Sequence, residues 1–398
     1  MGFLGKKTAR LTNSGDDFGY LDESAIYFDS ACQSLRPIQV IDALEEYYKE
    51  FNSCGERVKY EWGRRVDDKV SGTREAVLKF LKLSTKDYFV SFTLNTTYGI
   101  NLILSQLKLG KIEKVVTSDI EHNSPFLSTM AFAKKHGIKR EVLTREDDGS
   151  IDLEKFDLGK ALVVVNAVSN IDGRKLKNIR EVITKVHEQG GLIVIDAAQA
   201  MAHHHEMLEG CEADAICFSG HKLYSSSLGG MIVKKSLLDH IDTSFIGGGM
   251  VDDVTLDEYK MSFESSEHVH TIFEAGLQAW GEIIALNEAI KWLRKTEKNS
   301  NLEDLSRQIF DFLKSNSKIH VINDEASSTI SFYHEEIDSH LLAAGMSGQG
   351  IMARSGYFCC HYYLDHVKKY PPLVRFSLGH HNKQSDVDRA IKALERVL

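Results

Sequence analysis

Apolar runs alternate with amphipathic helical patterns between residues 88 and 196. The run at 161–165 reads Ala-Leu-Val-Val-Val, a continuous apolar stretch typical of a strand that is covered on both faces of its sheet. The segment 176–189 instead carries its apolar residues at helical spacing and ends at a pair of glycines. Because strands that alternate with helices form βαβ units, this pattern predicts an α/β fold with a doubly wound, mainly parallel sheet. The neighbouring strands are predicted at 88–92, 115–118, 192–195 and 213–217.

Helix boundaries and a change of pattern near residue 299 indicate how the chain is divided. Ser124, followed by Pro125, is predicted to be the N-cap of a helix that ends at Gly137. After residue 298 short strands and helices alternate in an order that favours an antiparallel sheet. We therefore expect an N-terminal arm over 1–22, a large domain over 23–298 and a smaller α+β domain over 299–398.

Composition and charge exclude several classes of protein. The chain has 398 residues and a net charge of −9, which argues against nucleic acid as its main partner. No apolar run approaches the roughly 18 residues of a membrane span, and the N-terminus lacks the apolar core of a signal peptide. The six cysteines are sparse, as is typical of a reducing compartment. We expect a cytoplasmic protein that binds neither nucleic acid nor membranes.

Polar side chains follow the ends of the predicted strands. Ligands of open α/β sheets bind beyond the carboxyl ends of parallel strands, so these side chains are expected to converge there. Each of them alone has an ordinary explanation as a helix cap, a turn residue, a structural histidine or an exposed loop lysine. Their common position after a strand is what points to one site. In chain order they are Thr96, His122, Asn170, Asp196 and Lys222.

Asp196 and Lys222 are the two groups that pyridoxal 5′-phosphate (PLP) requires. A buried amine loses its charge easily and then attacks carbonyl carbons. A carboxylate can keep the pyridine nitrogen protonated, so that the ring accepts electrons. With Asp-Ala-Ala-Gln at 196–199 and Ser-Gly-His-Lys at 219–222, the chain resembles the class V aminotransferase family of fold-type I PLP enzymes. Within that family it is most similar to the group II cysteine desulfurases and selenocysteine lyases, from about Tyr27 to the C-terminus.

This resemblance implies a role for each residue on the cofactor side. Lys222 would hold PLP as an aldimine, and Asp196 would pair with the pyridine nitrogen. His122 would stack on the ring and, together with Lys222, move protons as general acid and base. The other implied ligands are Thr96, Thr97, Ser219 and His221 for the phosphate, and Asn170 and Gln199 for the 3′-oxygen.

The substrate side is expected to combine arginine and cysteine residues. Arg375 matches the family arginine that binds an amino acid carboxylate, and Arg354 is a second candidate, although either could form a surface ion pair instead. The position before Arg375, where the resemblance leads us to expect the sulfur-accepting thiol, holds Val374. Cys359 and Cys360 are therefore the candidate acceptors, and a pair of buried core cysteines is the alternative.

The expected function is cleavage of the C–S bond of cysteine to give alanine and sulfur. Transamination, elimination and epimerisation remain open on the same scaffold, as does a non-catalytic member of the family. The resemblance also implies a homodimer and a sulfur-accepting protein partner, although Leu277 replaces a threonine that in relatives reaches the phosphate of the partner subunit. No metal site is expected, because the adjacent His203, His204 and His205 would point in different directions.

Overall fold

The computed structural model describes residues 16–22, 24–56, 58–264 and 268–397. Within these ranges the strands are β1 (Ile26–Tyr27), β2 (Tyr88–Thr93), β3 (Lys114–Ser118), β4 (Lys139–Leu143), β5 (Ala161–Asn166), β6 (Leu192–Asp196), β7 (Ala215–Ser219), β8 (Gly229–Lys234), β9 (Val251–Val254), β10 (Tyr259–Met261), β11 (Ile319–Val321), β12 (Thr329–His334), β13 (Ile351–Met352), β14 (Arg354–Gly356) and β15 (Leu373–Ser377). The α-helices are α1 (Ile38–Glu50), α2 (Glu61–Phe80), α3 (Thr96–Gln106), α4 (Asn123–His136), α5 (Ile179–Glu188), α6 (Ala200–His203), α7 (Trp280–Thr296), α8 (Leu302–Ser315), α9 (Ser339–Ser347) and α10 (Gln384–Val397).

A seven-stranded sheet carries most of the chain. Its order is β2-β8-β7-β6-β5-β3-β4, and β8 runs antiparallel to both of its neighbours while the other strands are parallel to one another. The prediction of a doubly wound, mainly parallel sheet is therefore confirmed. The carboxyl ends of β5, β6 and β7 meet at one edge, with Asn166 opposite Asp196 and Asp196 opposite Cys217.

Both faces of this sheet are buried, because successive residues of each central strand enter two different cores. In β5, Val163 and Val165 belong to one hydrophobic cluster, and Leu162 and Val164 belong to the other. Apolar residues of α2, α5 and α7 pack in the first cluster, and those of α3 and α4 pack in the second. Burial on two faces explains why the strands are apolar at every position.

A second sheet of order β11-β12-β15-β14 is antiparallel throughout, as the pattern after residue 298 predicts. Apolar residues of α8, α9 and α10 cover it in a third cluster, which also contains Ile26 and Phe28 from the start of the chain. This N-terminal segment joins the C-terminal part through the parallel pair β1–β13. The division into domains over 23–298 and 299–398 stays a proposal.

One local expectation is corrected. Helix α4 ends at Gly137 in a left-handed conformation, as expected, but it begins two residues earlier, with His122 and not Ser124 as its N-cap. Most of the expected N-terminal arm, residues 1–15, lies outside the described residues. None of the helices in the described ranges is long and apolar enough to cross a membrane.

Candidate active site

A cavity of about 290 Å³ opens at the carboxyl edge of the central sheet. Its walls come from the ends of β5, β6 and β7, from the N-termini of α3 and α4, and from the second sheet. The candidate residues from the sequence line it with one exception, Cys360. The candidate residues that line the cavity are Thr96, Thr97, His122, Asn170, Asp196, Gln199, Ser219, His221, Lys222, Arg354, Cys359 and Arg375.

Lys222 ends a short 3-10 turn, Gly220–Lys222, directly after β7. Its backbone carbonyl accepts a hydrogen bond of 2.7 Å from the Ser34 hydroxyl, which fixes the turn against the N-terminal segment. Burial lowers the pKa of the Lys222 amine, and the carboxylate of Asp196 opposes this shift. An amine with a lowered pKa is neutral, and therefore nucleophilic, in a larger fraction of the molecules.

Asp196 is the last residue of β6, and it is 5% exposed. Its Oδ1 accepts a hydrogen bond of 2.9 Å from the Ala198 amide, which holds the carboxylate at the strand end. Burial raises the pKa of this carboxyl group, and the positive charge of Lys222 opposes the shift. The two residues thus stabilise each other's charged form inside the cavity.

Hydroxyl groups gather at the N-terminus of α3. The Thr96 amide donates a 3.0 Å hydrogen bond to the Ser219 hydroxyl, and the two side-chain oxygens are 2.6 Å apart. The Asn95 side chain caps the helix by accepting from the Tyr98 amide at 2.9 Å. A helix N-terminus with several hydroxyl donors is suited to an anion such as phosphate. Gly229 is required here, because a Cβ atom would lie 2.5 Å from the backbone nitrogen of Asn95.

His122 caps α4 through its ring. Its Nδ1 accepts a hydrogen bond of 3.0 Å from the Ser124 amide, so the proton of the neutral ring lies on Nε2. Burial, with the charges of Lys222 and Arg375 nearby, lowers the pKa of His122 to about 3. The imidazole is therefore neutral at pH 7 and presents a flat ring to the cavity. Burial and Lys222 likewise lower the pKa of His221 to about 4.

The second sheet supplies the two arginines. Arg354 of β14 lies opposite Arg375 of β15, and both face Asp29, at 3.7 Å and 3.0 Å respectively. Arg375 is 3% exposed, and burial lowers its pKa while Asp29 opposes the shift. Its Nη1 donates to the backbone carbonyl of Asn170 at 2.9 Å, whereas its Nε has no hydrogen-bond partner. Two guanidinium groups around one carboxylate leave an excess positive charge for an anionic ligand.

Asp29 was not among the candidate residues, and neither was Cys32. Asp29 comes two residues and Cys32 five residues after the end of β1, so a search for polar residues in the loops after strands could have found them. The Cys32 thiol lines the cavity and contacts Nη1 of Arg354. Gln199 holds the same segment, because its side-chain amide donates to the Ala31 carbonyl at 2.8 Å.

The two adjacent cysteines have opposite environments. Phe358 and Cys359 both have left-handed backbones, with φ of 47° and 57°. The loop is held there by hydrogen bonds from the Asn170 side chain to the Phe358 carbonyl and from the Asn123 amide to the Cys359 carbonyl. Cys359 is exposed and lines the cavity.

The structure corrects the prediction that Cys360 is a candidate sulfur acceptor. It is 0% exposed, packs in a hydrophobic cluster and donates to the Glu121 carbonyl at 3.2 Å. Burial raises its pKa well above the ordinary value, so neither access nor ionisation allows it to react with a ligand in the cavity.

Position 374, which holds Val374 and not a thiol, also lies on the wrong face of its strand for a sulfur acceptor. Successive residues of a strand point to opposite faces. Arg375 lines the cavity, whereas Val374 is buried in the core beneath the second sheet. A cysteine at 374 would therefore face the core and not the site.

The comparisons with known proteins agree with this geometry. A family model described as aminotransferase class V matches residues 26–390, and the chain therefore belongs to the class V aminotransferase family. A probable cysteine desulfurase of Pyrococcus abyssi is 29% identical over 395 residues, which cover 95% of both chains. A probable cysteine desulfurase of Haemophilus influenzae is 30% identical over 390 residues, covering 95% of this chain and 86% of the relative. The apo structure of a cysteine desulfurase from Thermococcus onnurineus NA1 has a TM-score of 0.85 at 26% identity and covers 94% of both chains.

Members of this family are PLP-dependent, and the residues of the cavity fit that cofactor. The hydroxyl groups at the α3 N-terminus would bind its phosphate, and Asp196 would pair with its pyridine nitrogen. The buried side-chain oxygen of Asn170 has no hydrogen-bond partner, although its amide nitrogen is bonded. Since buried polar atoms are usually paired, this oxygen is available to a polar group of a ligand beside it.

Proposed function

We propose that this protein is a PLP-dependent enzyme that removes the sulfur atom from cysteine and leaves alanine, with Cys359 as the first sulfur acceptor. The observation that carries the proposal is the position of one exposed thiol, Cys359, in the same cavity as Lys222 and Arg375. The residues that would hold the cofactor are Lys222, Asp196, His122, Asn170, Gln199, Thr96, Thr97, Ser219 and His221. When bound, PLP would supply an electron-accepting ring conjugated to the amino group of the substrate.

The arginines select an amino acid by its carboxylate. Arg375 is held by Asp29 and by the Asn170 carbonyl, so its guanidinium is fixed before a substrate arrives. The free Nε–H and the nearby Arg354 offer further donors to a carboxylate. A planar, preorganised guanidinium loses little conformational entropy on binding, which favours it over lysine at this position.

Lys222 and His122 donate and accept protons in the proposed reaction. The lowered pKa of Lys222 favours the neutral amine, which can accept a proton from the substrate, and the Asp196 carboxylate stabilises the ammonium ion that results. His122 carries its proton on Nε2, because Nδ1 accepts from the Ser124 amide. It can therefore donate a hydrogen bond into the cavity without carrying a charge.

Cys359 completes the reaction as a nucleophile. Its thiolate attacks the substrate sulfur, so that a sulfur–sulfur bond forms while the bond between Cβ and sulfur breaks. The carbon keeps the electron pair of the broken bond and takes up one proton, which gives alanine. Cys359 then carries the transferred sulfur as a persulfide. An exposed thiol can pass this sulfur on to another molecule, whereas the buried Cys360 cannot.

Incubation of the purified protein with cysteine tests this reaction. Alanine should form, and mass spectrometry should find one added sulfur on the peptide that contains Cys359. Cys359→Ser should abolish both signals, while Cys54→Ser, at an exposed cysteine outside the cavity, should change neither. Alanine release with no added sulfur on Cys359 would contradict its role as acceptor. Formation of a keto acid in place of alanine would instead support an aminotransferase.

The assembly and location of the protein are part of the same proposal. We infer a homodimer from the resemblance to the family, and exposed apolar side chains such as Leu277 (77% exposed) and Leu94 (66% exposed) are available to such an interface. A sulfur-accepting protein would dock at the mouth of the cavity near Cys359, and the reaction would take place in the cytoplasm. Analytical ultracentrifugation would detect the dimer, and a monomer at all concentrations would contradict it.

A further inference from the structure

A small cavity of about 10 Å³ adjoins Lys222 and lies between the active-site cavity and an outer cleft of about 800 Å³. Lys222 and Gln199 line both the small cavity and the active-site cavity. His203 and Ser328 line both the small cavity and the outer cleft. Because each pair of neighbouring spaces shares lining residues, the three spaces lie in series from the active-site cavity through the small cavity to the outer cleft.

Two buried polar atoms of residues that line the small cavity have no hydrogen-bond partner. One is the hydroxyl of Ser30, a residue that is 3% exposed and lines the small cavity, and the other is Nδ1 of His203. A buried polar atom without a partner is unfavourable, so such atoms are normally bonded to protein or to ordered water. A space of about 10 Å³ is just enough for one water molecule. With Lys222, that water would have three polar partners, the usual number for a buried water.

His203 has the properties of a proton relay. Burial, together with His380, His204, His381 and His205, keeps its pKa well below the ordinary value, so its ring is neutral at pH 7. A neutral imidazole accepts a proton at one nitrogen and can release another from the second. The His380 ring at 5.2 Å and the Tyr224 ring at 5.9 Å hold the imidazole in place between the small cavity and the cleft.

We propose that one water molecule in the small cavity links Lys222, Ser30 and His203 into a relay that carries protons between the Lys222 amine and the outer cleft. The relay rests on the proposed function, in which Lys222 gains and loses protons. A proton leaves Nζ of Lys222 for the water, the water passes one to Nδ1 of His203, and Nε2 of His203 releases one to the cleft. The His203 ring is neutral both before and after this transfer. The Ser30 hydroxyl fixes the water, and the route stays open while a substrate fills the main cavity.

A crystal structure of the full chain tests the water site directly. An ordered water should lie within hydrogen-bond distance of both the Ser30 hydroxyl and Nδ1 of His203, and it should be lost in Ser30→Ala. An empty cavity in the wild-type protein would overturn the relay. This result does not depend on PLP, so it separates the relay from the proposed function.

The rate of cofactor loading tests the transfer itself. We expect Ser30→Ala and His203→Gln to slow the appearance of the visible absorbance band after PLP is added to the cofactor-free protein. The decrease should be on the order of tenfold, less than the 10²–10⁴ of direct proton transfer, because protons can still leave through the main cavity. The solvent deuterium isotope effect should rise in both variants, since proton transfer then limits the rate.

His366→Asn is the matched control, because His366 is exposed and lines none of the three spaces. It should load at the wild-type rate. Equal loading rates and isotope effects in wild type, Ser30→Ala and His203→Gln would overturn the relay. Absence of the visible band in the wild-type protein would instead contradict the proposed function, and the crystal structure would then decide whether the water site exists.

Discussion

Nη1 of Arg375 donates a hydrogen bond of 2.9 Å to the backbone carbonyl of Asn170. The arginine belongs to β15 of the second sheet, and the asparagine follows β5 of the central sheet. This contact therefore joins the two sheets at the site itself. The guanidinium is buried, so it cannot exchange this hydrogen bond for one with water. The contact therefore fixes the cofactor side of the cavity relative to the substrate side.

Replacing Arg375 by lysine should weaken substrate binding more than it slows the reaction. Lysine keeps the charge but loses the guanidinium fork and at least one charge-assisted hydrogen bond, worth about 1.5–3 kcal/mol. Since about 1.4 kcal/mol corresponds to a factor of ten, the KM for cysteine should rise about 10- to 100-fold. Steady-state alanine release measures KM and kcat separately.

The exposed Arg64 provides the control, and Arg64→Lys should leave both constants unchanged. A fall in kcat with no change in KM would show that Arg375 does not bind the substrate carboxylate.

Gly229→Ala should damage the phosphate end of the cavity. The added Cβ would collide with Oγ1 of Thr93 and lie 2.5 Å from the Asn95 backbone nitrogen, so β8 and the cap of α3 must move apart. Overpacking of this kind costs about 1–3 kcal/mol. We expect a lower free energy of unfolding in urea and a weaker affinity for PLP.

Gly248→Ala is the matched substitution, because an added Cβ there meets no atom within 4 Å. It should leave the protein as stable as the wild type, or more stable by up to about 1 kcal/mol, since alanine restricts the unfolded chain. Equal stabilities and PLP affinities for the two variants would contradict the crowding at Gly229.

The sequence predicts one side of the site far better than the other. Asp196 and Lys222 follow strands that are recognisable by their continuous hydrophobicity, and parallel strands bring their carboxyl ends together whatever the surface residues are. The opposite wall depends on how the second sheet packs, which no local pattern reveals. Cys359 and Cys360 have the same chemistry and adjacent positions, and only the left-handed backbone at Phe358 and Cys359 separates them.

Cys360→Ala should change stability and not catalysis. The thiol is fully buried against the Ile120 and Glu121 carbonyls, so its removal leaves a small cavity and should cost about 1 kcal/mol. Alanine release should stay at the wild-type rate, because the thiol does not reach the active-site cavity. Urea unfolding and an alanine assay on the same preparation measure both quantities. A loss of activity at full stability would show that Cys360 takes part in the reaction.

His122 should make the stability of the protein depend on pH. Its pKa falls from the ordinary 6.5 to about 3 on folding, so the folded state resists protonation while the unfolded chain accepts it. The contribution of the neutral ring is complete above pH 6.5 and is lost as the pH falls from there towards 3. His122→Asn keeps a side-chain oxygen to cap α4 but cannot be protonated. Wild type should therefore lose about 2 kcal/mol relative to His122→Asn between pH 7 and pH 5, measured by urea unfolding. The other buried histidines are present in both proteins and cancel in this difference. A difference that stays constant over the same range would mean that His122 is not held neutral by burial.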